Sequence, residues 1–141
     1  MDKNTDLANL LREDENHYVT SFRELHVYKK SMELARLIFT LSNQFPSEEK
    51  YSLTDQIRRS SRSIGANIAE AWGKRRYPAH FTSKLSDSLS ETLETQCWLD
   101  HSLQCNYMAA DAHKQADELC NFVAAMIRNT SAKSDKFCTS K

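Results

Sequence analysis

This 141-residue sequence predicts an all-α fold, an antiparallel up-down four-helix bundle, and three observations carry that reading. Only two glycines and two prolines occur, far below the usual ~7% and ~5%, so few tight turns are available. All-β architectures need a turn every ~8–12 residues and are excluded on that ground. Apolar residues recur at spacings of three and four along most of the chain, the period of helices rather than of strands. Four such segments of roughly 20 or more residues, joined by short links, are the pattern of a bundle.

The first segment spans residues 23–45. Leu25, Tyr28, Met32, Ala35 and Phe39 form one apolar row, and Leu34, Ile38, Leu41 and Phe45 a second, so a wide face is expected to turn inward. Pro46 ends it. Ser52, with Asp55 three residues on, resembles a capping box that starts the second helix near Leu53. Leu53, Ile57, Ser60 or Ser61, Ile64, Ile68 and Trp72 are its expected core face. Gly73 suits a C-cap, Lys74 to Arg76 suit the negative helix end, and Pro78 suits the first turn of a third helix over residues 78–106. There Phe81, Leu85, Leu89, Thr92, Gln96, Leu99 and Leu103 face inward. After a turn at CNYMAAD, the fourth helix, residues 109–130, buries Ala112, Ala116, Leu119, Val123, Met126 and Ile127. Residues 1–20 read as an acidic, loosely held arm in which LANLLRED is a candidate short helix, residues 21–131 as the bundle, and residues 132–141 as a polar tail that frays.

Composition narrows function by exclusion. Nineteen basic residues balance nineteen acidic ones, so no global field draws the protein to nucleic acid or to an anionic membrane, and partners must be sought through local patches. The acidic start lacks the apolar run of a signal peptide, and no stretch approaches the ~18 apolar residues of a membrane span. Cys97, Cys105, Cys120 and Cys138 form no C-x-x-C pair and have no His at zinc-finger spacing, which reads as reduced thiols in a cytoplasmic protein. No G-x-x-x-x-G-K-[ST] motif and no di-iron Glu-x-x-His repeat is present. His113 and Asp117 stand one helical turn apart, yet two ligands make no metal site. The expectation is a non-enzymatic protein with no cofactor, no metal and no small-molecule substrate.

The outward faces carry the functional signals. Between Gln56 and Arg76 lie Arg58, Arg59, Arg62, Lys74, Arg75 and Arg76, against the single acid Glu70. Gly65, Ala66, Ala69 and Gly73 lie off the core line of the same helix, where a solvated face would carry long polar residues. A mid-helix glycine costs about 1 kcal/mol relative to alanine, so close packing against Gly65 is expected, within the bundle or between subunits. The third helix shows the opposite sign: Asp87, Glu91, Glu94, Trp98 and His101 form an acidic stripe around an aromatic, with no basic residue between Asp87 and Asp100. Arg58, Arg59 and Arg62 are expected to pair with Asp87, Glu91 or Glu94, inside one subunit or across an interface. Different patches that complement each other make a heterologous contact, which repeats into a ring or a filament. Lys74, Arg75, Arg76 and Tyr77, with His80 nearby, form the candidate nucleic-acid contact, because clustered arginine beside aromatics binds phosphates and stacks on bases. Compensation of the helix dipole is the plainer role for the same cations.

Several ordered motifs carry a family resemblance. Phe22 to Tyr28 (FRELHVY), Phe45 to Glu49 (FPSEE), Tyr51 to Arg59 (YSLTDQIRR), Ser63 to Glu70 (SIGANIAE) and Glu91 to Gln96 (ETLETQ) closely resemble the four-helix-bundle family of the protein encoded in intervening sequences of bacterial 23S ribosomal RNA genes. The resemblance covers about residues 21–108. Ala71 departs from the glycine usual after N-I-A-E, and the acidic arm precedes the family's start. The family includes the accessory variability protein of diversity-generating retroelements, a pentameric barrel that binds its reverse transcriptase and nucleic acid through basic surfaces. The resemblance therefore implies a homopentamer, and structured RNA or a reverse transcriptase as partner. A purely structural protein–protein scaffold without nucleic-acid affinity is the alternative.

Overall fold

Two heptad rows set the architecture from within. On the longest helix, Phe81, Ser88, Thr95 and Ser102 step by seven, as do Leu85, Thr92 and Leu99, and all seven side chains are buried. A seven-residue step keeps one stripe facing its neighbours over the full length of a helix. The structure, a computed structural model, describes residues 19–138; nearly all of the acidic arm expected over residues 1–20 lies outside them.

Four long helices make up the bundle: α1 (His26–Ser42), α2 (Asp55–Gly73), α3 (Pro78–Gln104) and α4 (Ala110–Ala132), followed by a short α5 (Ser134–Phe137). The described residues contain no strand. Each long helix packs on two others, α1 on α2 and α4, and α3 on α2 and α4. Leu34 and Ile38 from α1, Ile57, Ile64 and Ile68 from α2, and Val123 and Ile127 from α4 join the α3 rows in one core. Full burial of each such side chain contributes about 1.5–3 kcal/mol.

The buried serines and threonines of α3 are all hydrogen-bonded. Ser88 Oγ crosses to the Ile64 carbonyl at 2.8 Å, and Ser60 and Thr95 share a 2.9 Å hydrogen bond between α2 and α3. Thr92 and Ser102 donate to carbonyls one turn back on their own helix. Satisfied in this way, small hydroxyls let two helices approach without leaving a desolvated polar group.

Several sequence-based expectations change. Of the two apolar rows, the second enters the core through Leu34, Ile38 and Phe45, whereas the first divides: Leu25 is buried, but Met32 and Phe39 remain 51% and 44% exposed. A stripe that wide cannot be buried whole against two neighbours. The capping box at Ser52 does not form. Lys50–Thr54 instead makes a π-helical turn leading straight into α2, and Ser52 Oγ donates to Glu49 Oε1 at 2.8 Å. Gly73 ends α2 without a positive φ. The left-handed residue is Asn106, at φ 60°, in the turn between α3 and α4. Residues 134–137, within the tail expected to fray, form α5 and bury Phe137 with its ring 6.3 Å from that of Phe81.

One end of the bundle is tied across its two turns. Tyr107 packs on Phe45 and its phenol bonds the Glu49 carboxylate, which, with some burial, pushes its pKa up to about 12.

Candidate interaction surfaces

The α2–α3 turn brings the expected phosphate-binding group together. Lys74, Arg76 and Tyr77 are exposed, Tyr77 to 53%. The Arg76 guanidinium lies 5.7 Å from the Tyr77 ring, whose other neighbour is His80 at 5.2 Å. Arg75 behaves differently: its guanidinium lies 3.5 Å from the centre of the Trp72 ring, and its Nε donates to the Trp72 carbonyl at 2.9 Å. It braces the end of α2, and its charge opposes the burial that raises the Cys138 thiol pKa. The same turn starts α3 with Tyr77 as N-cap, no capping side chain and no acid in the first turn. An uncapped helix start presents free amides and a positive dipole end, which favour an anion.

The basic residues of α2 divide between its two neighbours. Arg58 and Arg62 were expected to meet the acids of α3, but within the chain both turn toward α1. Arg58 Nε donates to Ser42 Oγ at 2.8 Å, and an Nη of Arg58 donates to Asn43 Oδ1 at 2.9 Å. The Phe39 ring lies 4.6 Å from the Arg58 guanidinium and 5.9 Å from that of Arg62. Only Arg59 faces α3, where its charge favours ionised Glu91. The flank occupied by positions 58 and 62 faces α1; position 59 is on the other side of the helix.

On α3 the acids are less uniform than their spacing suggested. Lys84, outside the stretch that looked free of bases, binds Glu70 at 2.7 Å and lies 3.4 Å from Asp87, and these carboxylates raise its pKa. Asp100 meets His113 of α4 at 2.9 Å, and Gln96 donates to Asp117 and Asn121. His113 and Asp117 thus serve the α3–α4 contact, and no group of three metal-ligating residues occurs among the described residues. Glu91 is held partly out of water beside Glu94. Burial, and then the hydrogen bond and charge of Glu94, push its pKa up against the pull of Arg59. Among the described residues, two buried side-chain polar atoms lack a partner, Glu91 Oε2 and Trp98 Nε1, and both belong to this face. Leu93 beside them is 51% exposed.

Sequence reasoning missed a groove of about 600 Å³ between α1 and α2, lined by Met32, Ala35 and Phe39 and floored by Gly65, Ala66 and Ala69. Gly65 is the reason the helices come so close. A Cβ there would sit 3.0 Å from Ser31 Oγ, so the packing expected against Gly65 is supplied by α1 of the same chain. All four cysteines are free thiols, and burial pushes that of Cys120 up to about 12.

The fold and its surfaces define a class: an all-α helical bundle, with no helix among the described residues long and apolar enough to cross a membrane. Residues 23–129 match the 23S rRNA-intervening sequence protein family, and the chain belongs to that family. A solved structure from Bacteroides thetaiotaomicron, a protein of unknown function from the S23 ribosomal protein family, is similar at 30% identity and a TM-score of 0.68; the match covers 75% of this chain and 95% of that one. No curated protein matches the chain.

Proposed function

We propose that this protein is a non-enzymatic, cytoplasmic helical scaffold that assembles with copies of itself and holds structured RNA at its α2–α3 turn. The observation that carries the RNA reading is the convergence at one turn of Lys74, Arg76, the exposed Tyr77 ring and the uncapped start of α3. Cations and amides suit phosphate, and an exposed aromatic suits an unstacked base. Arg75 takes part as a brace for the turn. A reverse transcriptase is the protein partner suggested by the relatives that serve retroelements.

Assembly is supported by what remains unpaired. Glu91 Oε2, Trp98 Nε1 and exposed Leu93 mark an acidic, part-apolar ridge on α3. Arg58 and Arg62 flank an apolar groove on the opposite side of α2. In this reading the chain is an antiparallel up-down four-helix bundle, and the ridge of one copy, with Asp87, Glu91, Glu94 and Trp98, meets the Arg58–Arg62 face of the next. A heterologous contact of this kind closes into a ring, a pentamer in the family's pattern.

A second reading has its own observation. Arg58 and Arg75 are already engaged inside the chain and the net charge is zero, which favours a protein–protein scaffold without RNA affinity. Titrating a structured RNA at increasing salt, beside a Lys74→Ala/Arg76→Ala variant, separates the two. The RNA reading expects affinity that falls steeply with salt, with a slope shallower by roughly one unit per phosphate contact removed. Absence of binding at low salt would leave the scaffold alone.

A further inference from the structure

The groove between α1 and α2 has the form of a seat for a short amphipathic helix. Its floor of Gly65, Ala66 and Ala69 carries no long side chain, and Met32 and Phe39 stand half-exposed as its wall. Arg36 and Arg62 also line it. Phe22 and Tyr28, packed edge to face at 5.0 Å, line it as well, and Phe22 lies three residues after Val19, where the described chain begins. From Tyr28 to Phe39, α1 advances about 17 Å at 1.5 Å per residue, the length of a helix of about eleven residues.

The segment attached at that point has the matching chemistry. Leu7, Leu10 and Leu11 stand at helical spacing on one face, and Asp2, Asp6, Glu13, Asp14 and Glu15 outnumber Lys3 and Arg12. Because the whole chain is neutral, this acidic excess is matched by a basic excess in the rest of it. Residues 16–21 can span up to about 20 Å when extended, enough for the segment to fold back along α1. A tethered segment meets its site at an effective concentration in the millimolar range, so even modest intrinsic affinity fills it.

We propose that this groove is the docking site of the chain's own N-terminal segment, residues 5–15, with Leu7, Leu10 and Leu11 against Met32 and Phe39 and the carboxylates facing Arg36 and Arg62. A second copy of the bundle would have to displace it. The docking stands on the groove and the segment; its consequence, that the arm restrains self-association, rests on the assembly proposed above.

The test uses the full chain with a benzoylphenylalanine photo-crosslinker at position 39, and separately at position 66, in an equal mixture of isotopically heavy and light protein. After irradiation, the proposal expects adducts joining the crosslinker to residues 5–15 of the same chain. Their yield should fall at least tenfold in a Leu7→Asp/Leu10→Asp/Leu11→Asp variant whose thermal melt shows an intact bundle. Absence of adducts to residues 1–18, or arm adducts that join only heavy to light chains, would overturn it. Heavy-to-light adducts on α3 without arm adducts would support the assembly and sink the docking. Same-chain arm adducts in the parent, with no heavy-to-light product in either the parent or the triple variant, would support the docking and count against the assembly.

Discussion

The two faces of α2 invert the usual arrangement of polar and apolar groups. Toward α3 it buries hydroxyls: Ser60 against Thr95, and the Ile64 carbonyl receiving Ser88. Toward the outer side of α1 it leaves apolar surface in water, with Met32 and Phe39 half-exposed over small residues. The first face is complete in a single chain, since its buried hydroxyls have all found partners. The second is incomplete, since an apolar trough gains stability only when something covers it. Where a helix buries polar atoms that are satisfied it is finished; where it exposes apolar atoms it is available.

The largest expected effect breaks the finished face. Ile64→Ala removes a fully buried side chain from the middle of the α2–α3 packing and is expected to cost about 2–5 kcal/mol, read from urea denaturation. Thr95→Val keeps the shape but strands Ser60 without its cross-helix partner, although Ser60 Oγ retains the Ile57 carbonyl. A loss of about 1 kcal/mol is expected in the same measurement, and an unchanged midpoint would show the hydroxyl pair to be incidental.

A smaller effect, of opposite sign, sharpens the contrast at the α3 ridge. Folding raises the Glu91 pKa, so the fold favours the protonated acid. Its contribution is therefore fully present below the ordinary carboxylate range near 4.5 and is lost as pH rises through the raised value. Glu91→Gln should be more stable than the parent at pH 7, with the gain shrinking as pH falls toward 4; a gain that persists at low pH would refute this cause. The smallest effect belongs to the available face. Met32→Ser should leave stability within about 0.5 kcal/mol, because that side chain is half in water already.

Much of the architecture was legible before any coordinates. Pro78 marks where α3 begins, α1 ends at Ser42 shortly before Pro46, and the isoleucines of α2 identify its buried line. What stayed hidden had physical causes. Two apolar rows on α1 do not reveal which will be buried, because that depends on the neighbours rather than on the helix. The heptad of Ser88, Thr95 and Ser102 reads as polar unless its seven-residue step from Phe81 is noticed. A helical wheel sets Arg58 and Arg62 apart from Arg59 without naming the helix each will meet, so the exchange of partners could not be seen. Lone Phe137 in a polar tail was the available sign that the tail returns to the core. The basic turn was legible in position; that Arg75 stacks on Trp72 instead of standing free was not.

The order of helix contacts has a kinetic consequence. Three of the four seams join helices consecutive in sequence, so their contacts form after short, inexpensive loop closures. The fourth joins α1 to α4 and requires the two ends of the bundle to meet. A topology dominated by such local contacts places the protein among fast folders, in the microsecond-to-millisecond range. The closing of α1 onto α4 is the non-local step, whereas the outer groove, lined by α1 and α2 with no residue of α4, needs only a seam between consecutive helices.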